Sequence, residues 1–227
     1  MRSMSYARTL AMLVMCGAND PSTGSIISRP LANIGNHGPG LSMWPLLAKC
    51  FDMQGWTLRH TGPPIQLRHE DGTSLTLDRD HLNVMLRELL DWYRFYLPGF
   101  SLKGKTVLDA GAGCGESAAF YFFYGAKRVI AIEKDPAMRP YLEQNAADNG
   151  WDMEIIIDEF RPEHLDIHRD WTKIDIEGGE SVLESCPKDS LGPCTIEMHP
   201  TVIGKAACDQ IIKRFGLKHL DRKLWGL

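Results

Sequence analysis

One stretch constrains this chain more than any other: Val107-Leu108-Asp109-Ala110-Gly111-Ala112-Gly113-Cys114-Gly115-Glu116. It follows a short apolar strand, Thr106 to Leu108, and opens a helix predicted from Ser117 to Tyr124, with Gly125 behind it as C-cap. Glycines let the backbone turn sharply and let another group approach where a Cβ would stand in the way. The helix that follows offers its free N–H groups to an anion. A strand, a glycine turn and a helix in this order form the unit from which ligand-cradling α/β sheets are built.

The pattern continues downstream. Apolar runs at Arg128 to Ile132, Glu154 to Ile157, Thr172 to Ile176 and Thr195 to Met198 read as strands. Helices are expected from between Pro136 and Tyr141 to about Gly150, from Gly179 to Ser185 and from Ala206 to Phe215. Pro140 leaves the first of these starts open, because a first-turn proline is tolerated and an interior one is not. Leu217 to Leu220 and Lys223 to Trp225 are expected to close the sheet as a strand pair. Alternation of this kind predicts a doubly wound α/β fold with a largely parallel sheet covered on both faces.

The glycine spacing selects among ligands. A dinucleotide loop, G-x-G-x-x-G, would put its third glycine at 116, where the chain has Glu116, a carboxylate that would repel a pyrophosphate. S-adenosylmethionine carries no phosphate, and its amino acid end brings an ammonium that suits a nearby acid. Asp109 ends the first strand, Glu133 the second and Asp158 the third, all on the edge where such a sheet binds its ligand. Asp109 is placed to meet the ammonium or to order the loop, Glu133 to accept the ribose hydroxyls, and Asp158 to meet the adenine. The expected cofactor set is Asp109, Ala110, Gly111, Gly113, Gly115, Glu133, Lys134 and Asp158.

Residues 1–100 have a different texture and are expected to form an extension ahead of a core at 101–227. The stretch from Gly17 to Pro45 is rich in breakers and reads as loop. Trp56 to His60 reads as a strand, and Asp71-Gly72 between Ile65 to Arg68 and Ser74 to Leu77 signals a hairpin. Leu82, Met85, Leu86, Leu89, Leu90, Tyr93 and Leu97 recur at helical spacing up to Pro98. This extension is expected to select the acceptor, with Trp44, Trp56, Trp92 and Tyr93 as candidates for an apolar wall. Arg2, Arg8 and the apolar run Leu10 to Ala18 loosely resemble a signal peptide, but the run is short for a membrane span. It is read as a packed helix without stable membrane insertion. The six cysteines form no C-x-x-C pair, and together these features predict a cytoplasmic protein with free thiols. A net charge of −4 gives no general pull toward nucleic acid.

A second motif, Lys173-Ile174-Asp175-Ile176-Glu177-Gly178-Gly179-Glu180, ends the predicted fourth strand, and Ile196-Glu197-Met198-His199-Pro200 ends the fifth. VLDAGAGCGE and AIEKDP resemble the first two motifs of class I methyltransferases. KIDIEGGE with IEMHP resembles the FkbM-type methyltransferase family, over roughly residues 103–200. The resemblance implies a Rossmann-like fold, S-adenosylmethionine as donor, and O-methylation of a sugar, lipid-type or other small acceptor. It places Asp109, Gly111 and Glu133 at the cofactor and Asp175 and Glu177 in the site region. The chain departs from the family where Gly113 and Cys114 replace a commonly polar position.

Methyl transfer from a sulfonium is an in-line displacement that depends on positioning, and an alcohol acceptor must also lose its proton. His199 is the expected general base, then Asp175, with Glu177 beside them. Asp175 and Glu177 could alternatively hold a divalent metal such as magnesium that orients a diol, but two acids do not make a ligand set, and no metal is expected. The rival readings are an RNA methyltransferase and a non-catalytic S-adenosylmethionine-binding protein. AIEKDP and NAADNG also resemble tRNA methyltransferases, but an Asn/Asp-Pro-Pro-aromatic loop is absent. Partners are thus expected to be a small-molecule acceptor rather than nucleic acid, with the oligomeric state open.

Overall fold

The structure is a computed structural model that describes residues 55–60, 64–82, 85, 92 and 95–218. It divides into two units, Met1–Asp91 and Trp92–Leu227. In the first, β1 (Trp56–His60), β2 (Ile65–His69) and β3 (Ser74–Leu77) form an antiparallel sheet in the order β1-β2-β3. The Asp71-Gly72 signal is the β2–β3 turn. Gly72 takes φ +100°, and the Asp71 carboxylate accepts a hydrogen bond from the Thr73 N–H at 2.8 Å. Ile65, Leu67, Leu75 and Leu77 alternate onto the buried face. The chain is helical at 79–82, 85, 92 and 95 and leaves the helix before Pro98. The Leu10 to Ala18 run, the Gly17 to Pro45 loop, Trp44, Tyr93 and the closing strands lie outside the described residues, apart from Leu217 and Lys218, which follow the last helix and are not in a strand.

The second unit holds a five-stranded sheet of β4 (Thr106–Ala110), β5 (Arg128–Glu133), β6 (Met153–Ile157), β7 (Trp171–Ile174) and β8 (Cys194–Ile196). Its order is β6-β5-β4-β7-β8, and every pairing is parallel. The direction of winding reverses between β4 and β7. In an open α/β sheet, the crevice outside the strands' carboxyl ends at such a switch point is where ligands bind. The central strands read as apolar runs because both faces are covered: Val107, Leu108, Val129, Ile130, Ile132 and Ile174 are all buried.

Helix α1 (Glu116–Phe123) follows β4, and α2 (Arg139–Asn149) follows β5. Pro140 falls in the first turn of α2, behind a short 3-10 turn at Pro136–Met138. The right-hand half is thinner than expected. The segment from Glu180 to Ser185 is a 3-10 helix, so no full crossover helix lies between β7 and β8. Two strands also stop early: β7 ends at Ile174 and β8 at Ile196, which puts Asp175, Glu177 and His199 in loops. His199 caps α3 (Pro200–Ile203), and α4 (Lys205–Phe215) returns Cys208 and Ile211 to the core.

Candidate active site

Asp109 is the penultimate residue of β4 and is fully buried. Ser117 Oγ donates to its Oδ2 at 2.6 Å, and Lys173 Nζ stands 3.2 Å from Oδ1. Burial pushes the Asp109 carboxyl above its ordinary range, against the pull of Lys173 and Ser117. Lys173 is itself buried and donates to the Gly111 carbonyl at 2.8 Å. Burial opposes its charge, yet Asp109 and Asp175 hold its pKa above the usual lysine value. Asp109 is thus bonded to Ser117 on α1 and paired with Lys173, a placement compatible with the loop-ordering role among the two expected for it. Lys173 is the residue that sequence reasoning passed over. A lysine inside an apolar strand, flanked by acids, was the available signal.

The three loop glycines all adopt positive φ: +79° at Gly111, +54° at Gly113 and +96° at Gly115. At Gly111 the close neighbour is the chain itself, because an added Cβ would stand 1.7 Å from the Asp175 carbonyl oxygen. Ala110, fully buried, accepts from the Asp175 N–H at 3.0 Å. The β4 and β7 loops are thus laid against each other at the switch point.

Glu133, at the end of β5, turns toward this loop. Its Oε2 accepts from the Gly113 N–H at 3.0 Å and its Oε1 from the Asp135 N–H at 2.8 Å. Gly115, the N-cap of α1, supplies no side-chain cap, so the helix's first-turn N–H groups have no side-chain acceptor there. A buried loop, a carboxylate at the β5 tip and an uncapped helix start fit the hydroxyls and carboxylate of S-adenosylmethionine. Lys134 is exposed. Asp158 is engaged locally, accepting from the Glu159 N–H at 2.9 Å and from Arg161 at 2.7 Å.

The second cluster gathers at the ends of β7 and β8. Tyr96 donates its hydroxyl to Asp175 Oδ2 at 3.0 Å, and Glu197 Oε2 lies 3.4 Å from the same hydroxyl. The Tyr96 carbonyl is fixed by the Trp171 indole N–H at 2.9 Å. His199 Nδ1 is 2.8 Å from Oε1 of Glu180, which is wholly buried and also accepts from the Gly178 N–H. His199 Nε2 faces Glu177 Oε2 at 3.4 Å and Asp175 Oδ1 at 3.8 Å. Burial works against the imidazolium, but Glu180, Glu177 and Asp175 together hold the His199 pKa above its ordinary value. Tyr96 and Glu180 were not singled out from sequence. Glu180 could have been found, since an acid that opens a turn after a glycine pair has to be placed somewhere.

A cavity of about 440 Å³ lies at the opposite edge of the sheet, between the starts of β7 and β8. Arg169 in its wall donates to the carbonyls of Leu165, Ile167, Ser190 and Leu191, which joins two crossovers and leaves the guanidinium committed. The chemistry-bearing residues are at the other end of the strands.

No protein-family model matches the chain. It is similar to ribosomal protein L11 methyltransferases: 44% identical over 55 residues to that of Haemophilus ducreyi, covering 24% of this chain and 19% of the relative. The enzyme of Vibrio vulnificus is 36% identical over 78 residues, covering 34% and 25%. The chain thus matches about a quarter of the length of such relatives, or less. Among solved structures, wild-type Trm5b from Pyrococcus abyssi aligns with 75% of this chain and 58% of its own, at 16% identity and a TM-score of 0.42. The C-terminal domain of precorrin-6Y C5,15-methyltransferase from Rhodobacter capsulatus aligns with 36% and 46%, at 19% identity and a TM-score of 0.33. The expectation of a small-molecule acceptor is corrected here, because the curated relatives are named for a ribosomal protein. Net charge and the glycine loop, on which that expectation leaned, do not encode the acceptor. Among the described residues, no helix is long and apolar enough to cross a membrane. The parallel sheet and its β6-β5-β4-β7-β8 order give the second unit a doubly wound, Rossmann-like fold, and the curated relatives that match part of the chain are named methyltransferases.

Proposed function

We propose that this chain is an S-adenosylmethionine-dependent methyltransferase acting on a macromolecule, with a ribosomal protein as the first acceptor class to test. The observation that carries the donor half is the Glu133–Gly113 hydrogen bond, at 3.0 Å, which sets a carboxylate beside the glycine loop at the switch point. Bound there, S-adenosylmethionine would supply an electrophilic methyl group on its sulfonium. In this reading Glu133 takes the ribose hydroxyls and the start of α1 takes the carboxylate. The Asp109–Lys173 pair holds the loop in shape, and Asp158 flanks the base side. Asp175, Glu177 and His199 border the acceptor side, where positioning accounts for much of the rate.

The acceptor half is supported by the names of the matched relatives. A protein stands first in the test because both of these relatives are named for a ribosomal protein. RNA nevertheless belongs in the test, because AIEKDP and NAADNG resemble RNA-modifying enzymes. The FkbM-type resemblance enters the proposal only as an origin for the KIDIEGGE and IEMHP segments, without its small acceptors. This reading carries a cytoplasmic location with it as part of the proposal.

Calorimetry with S-adenosylhomocysteine, with NAD as control, tests the donor site. Micromolar binding is expected, weakened about tenfold or more in Glu133→Ala by the loss of a charged hydrogen-bond partner. Absence of binding by the folded chain would remove the donor reading. Tritiated methyl transfer into ribosomal protein L11 and into ribosomal RNA then tests the acceptor. Label in RNA alone would refute the protein assignment.

A further inference from the structure

We infer that Asp175, Glu177 and His199 form a binding site for a divalent transition-metal cation of the manganese, iron or zinc kind. Sequence reasoning expected no metal because it saw only two acids close together. The fold adds the third donor, since β7 and β8 are parallel neighbours and the Glu197 N–H bonds the Ile174 carbonyl at 2.8 Å. That register brings the His199 loop beside the Asp175 loop. One potential ligand atom from each of the three residues then lies within 4.8 Å of the other two.

The orientation of His199 is the strongest feature. A carboxylate only accepts, so the 2.8 Å contact with Glu180 Oε1 puts a hydrogen on Nδ1 and makes Nε2 the ring atom that faces the two acids. A buried carboxylate behind the far nitrogen is how metal-ligating histidines are usually held, and it raises their basicity as ligands. Nothing in a merely solvated acidic loop requires Glu180 to be wholly buried.

Asp175 supplies the second feature. Its Oδ2 accepts from Tyr96, while its Oδ1 is buried and has no hydrogen-bond partner. A buried carboxylate oxygen left unpaired is costly, and a cation between it and His199 would satisfy it. The spacing is suitable: two donors each about 2.1 Å from a tetrahedral ion lie roughly 3.4 Å apart. Nε2 stands 3.4 Å from Glu177 and 3.8 Å from Asp175, so a small contraction closes the set. Glu177, with its side chain 77% exposed and its backbone held at φ +52°, is the arm that would close. One imidazole nitrogen with two carboxylate oxygens favours manganese, iron or zinc over the all-oxygen preference of magnesium and calcium. Three protein donors leave positions for water or for an oxygen of the acceptor.

The test uses the full chain after treatment with a chelator, titrated with manganese by calorimetry and with cobalt by visible absorption. One-to-one binding is expected, with cobalt bands from the His-carboxylate set. His199→Ala and Asp175→Asn should weaken it at least about tenfold, and Glu180→Gln about 10- to 100-fold through the histidine it orients. Glu177→Gln, at an exposed position, should fold normally and still weaken binding, which keeps the test decisive if a core variant misfolds. No saturable binding by the folded chain, or binding indifferent to Glu177→Gln and His199→Ala, would overturn the site. The readout needs no methyl donor, so this failure leaves the methyltransferase reading standing.

Discussion

Asp109 and Lys173 are buried as a pair, and removing either partner leaves the other charged in the core. Asp109→Ala should therefore cost about 3–5 kcal/mol of stability, read from denaturant unfolding. A loss of cofactor binding in that variant would report the collapsed loop, which makes Glu133 the cleaner probe. Gly111 and Gly150 separate two reasons for a glycine. Gly150 caps α2 at φ +63° in open space, so Gly150→Ala should cost only about 1–2 kcal/mol. At Gly111 the Asp175 carbonyl occupies the place of a Cβ, and Gly111→Ala should cost more than about 4 kcal/mol or block folding. Comparing the two melting temperatures checks the distinction. The sequence showed that both positions suit glycine. It did not show that the body pressing on Gly111 is the chain's own backbone, because the neighbour comes from a segment more than sixty residues away.

At the scale of elements, β4 is pinned at its start as well as its end. Asp170 accepts from the Thr106 N–H at 2.9 Å and from Lys105 Nζ at 2.9 Å, just before β7 begins. These bonds hold the Asp170 carboxyl below its ordinary pKa. A depressed carboxyl pKa contributes stability that is present above the unfolded value, near 3.9, and is lost as pH falls through the folded one. Asp170→Asn should thus destabilise the chain at pH 7, by about 1 kcal/mol or less for a partly exposed pair. The difference from wild type should vanish in acid, and melting curves across pH measure it. The elements themselves were largely legible. The five strands of the parallel sheet, α1, α2 and α4 stand within a few residues of where periodicity put them, with Pro140 in a first turn. The misreadings cluster on the right-hand side. Glu180 to Ser185 has apolar spacing suited to a helix, yet Gly178 and Gly179 and the draw of Glu180 toward His199 hold it as a 3-10 turn.

For the whole molecule, a bound cofactor should stabilise the fold by mass action. S-adenosylhomocysteine at a hundred times its Kd should add about 2.7 kcal/mol, seen as a raised melting temperature that NAD does not reproduce. An unchanged melting temperature would contradict a donor site in the folded chain. The sequence by itself determined the alternation of strands and helices, the glycine loop and the acids at successive strand ends. Those features are local: they rest on periodicity, on backbone freedom at glycine and on the position of a residue at the end of its own element. The β6-β5-β4-β7-β8 order, the Asp109–Lys173 pair and the meeting of Asp175, Glu177, Glu180 and His199 were decided only by the tertiary structure. Each of them depends on which strands lie side by side, and hydrophobic patterning directs a strand into the core without naming its neighbour.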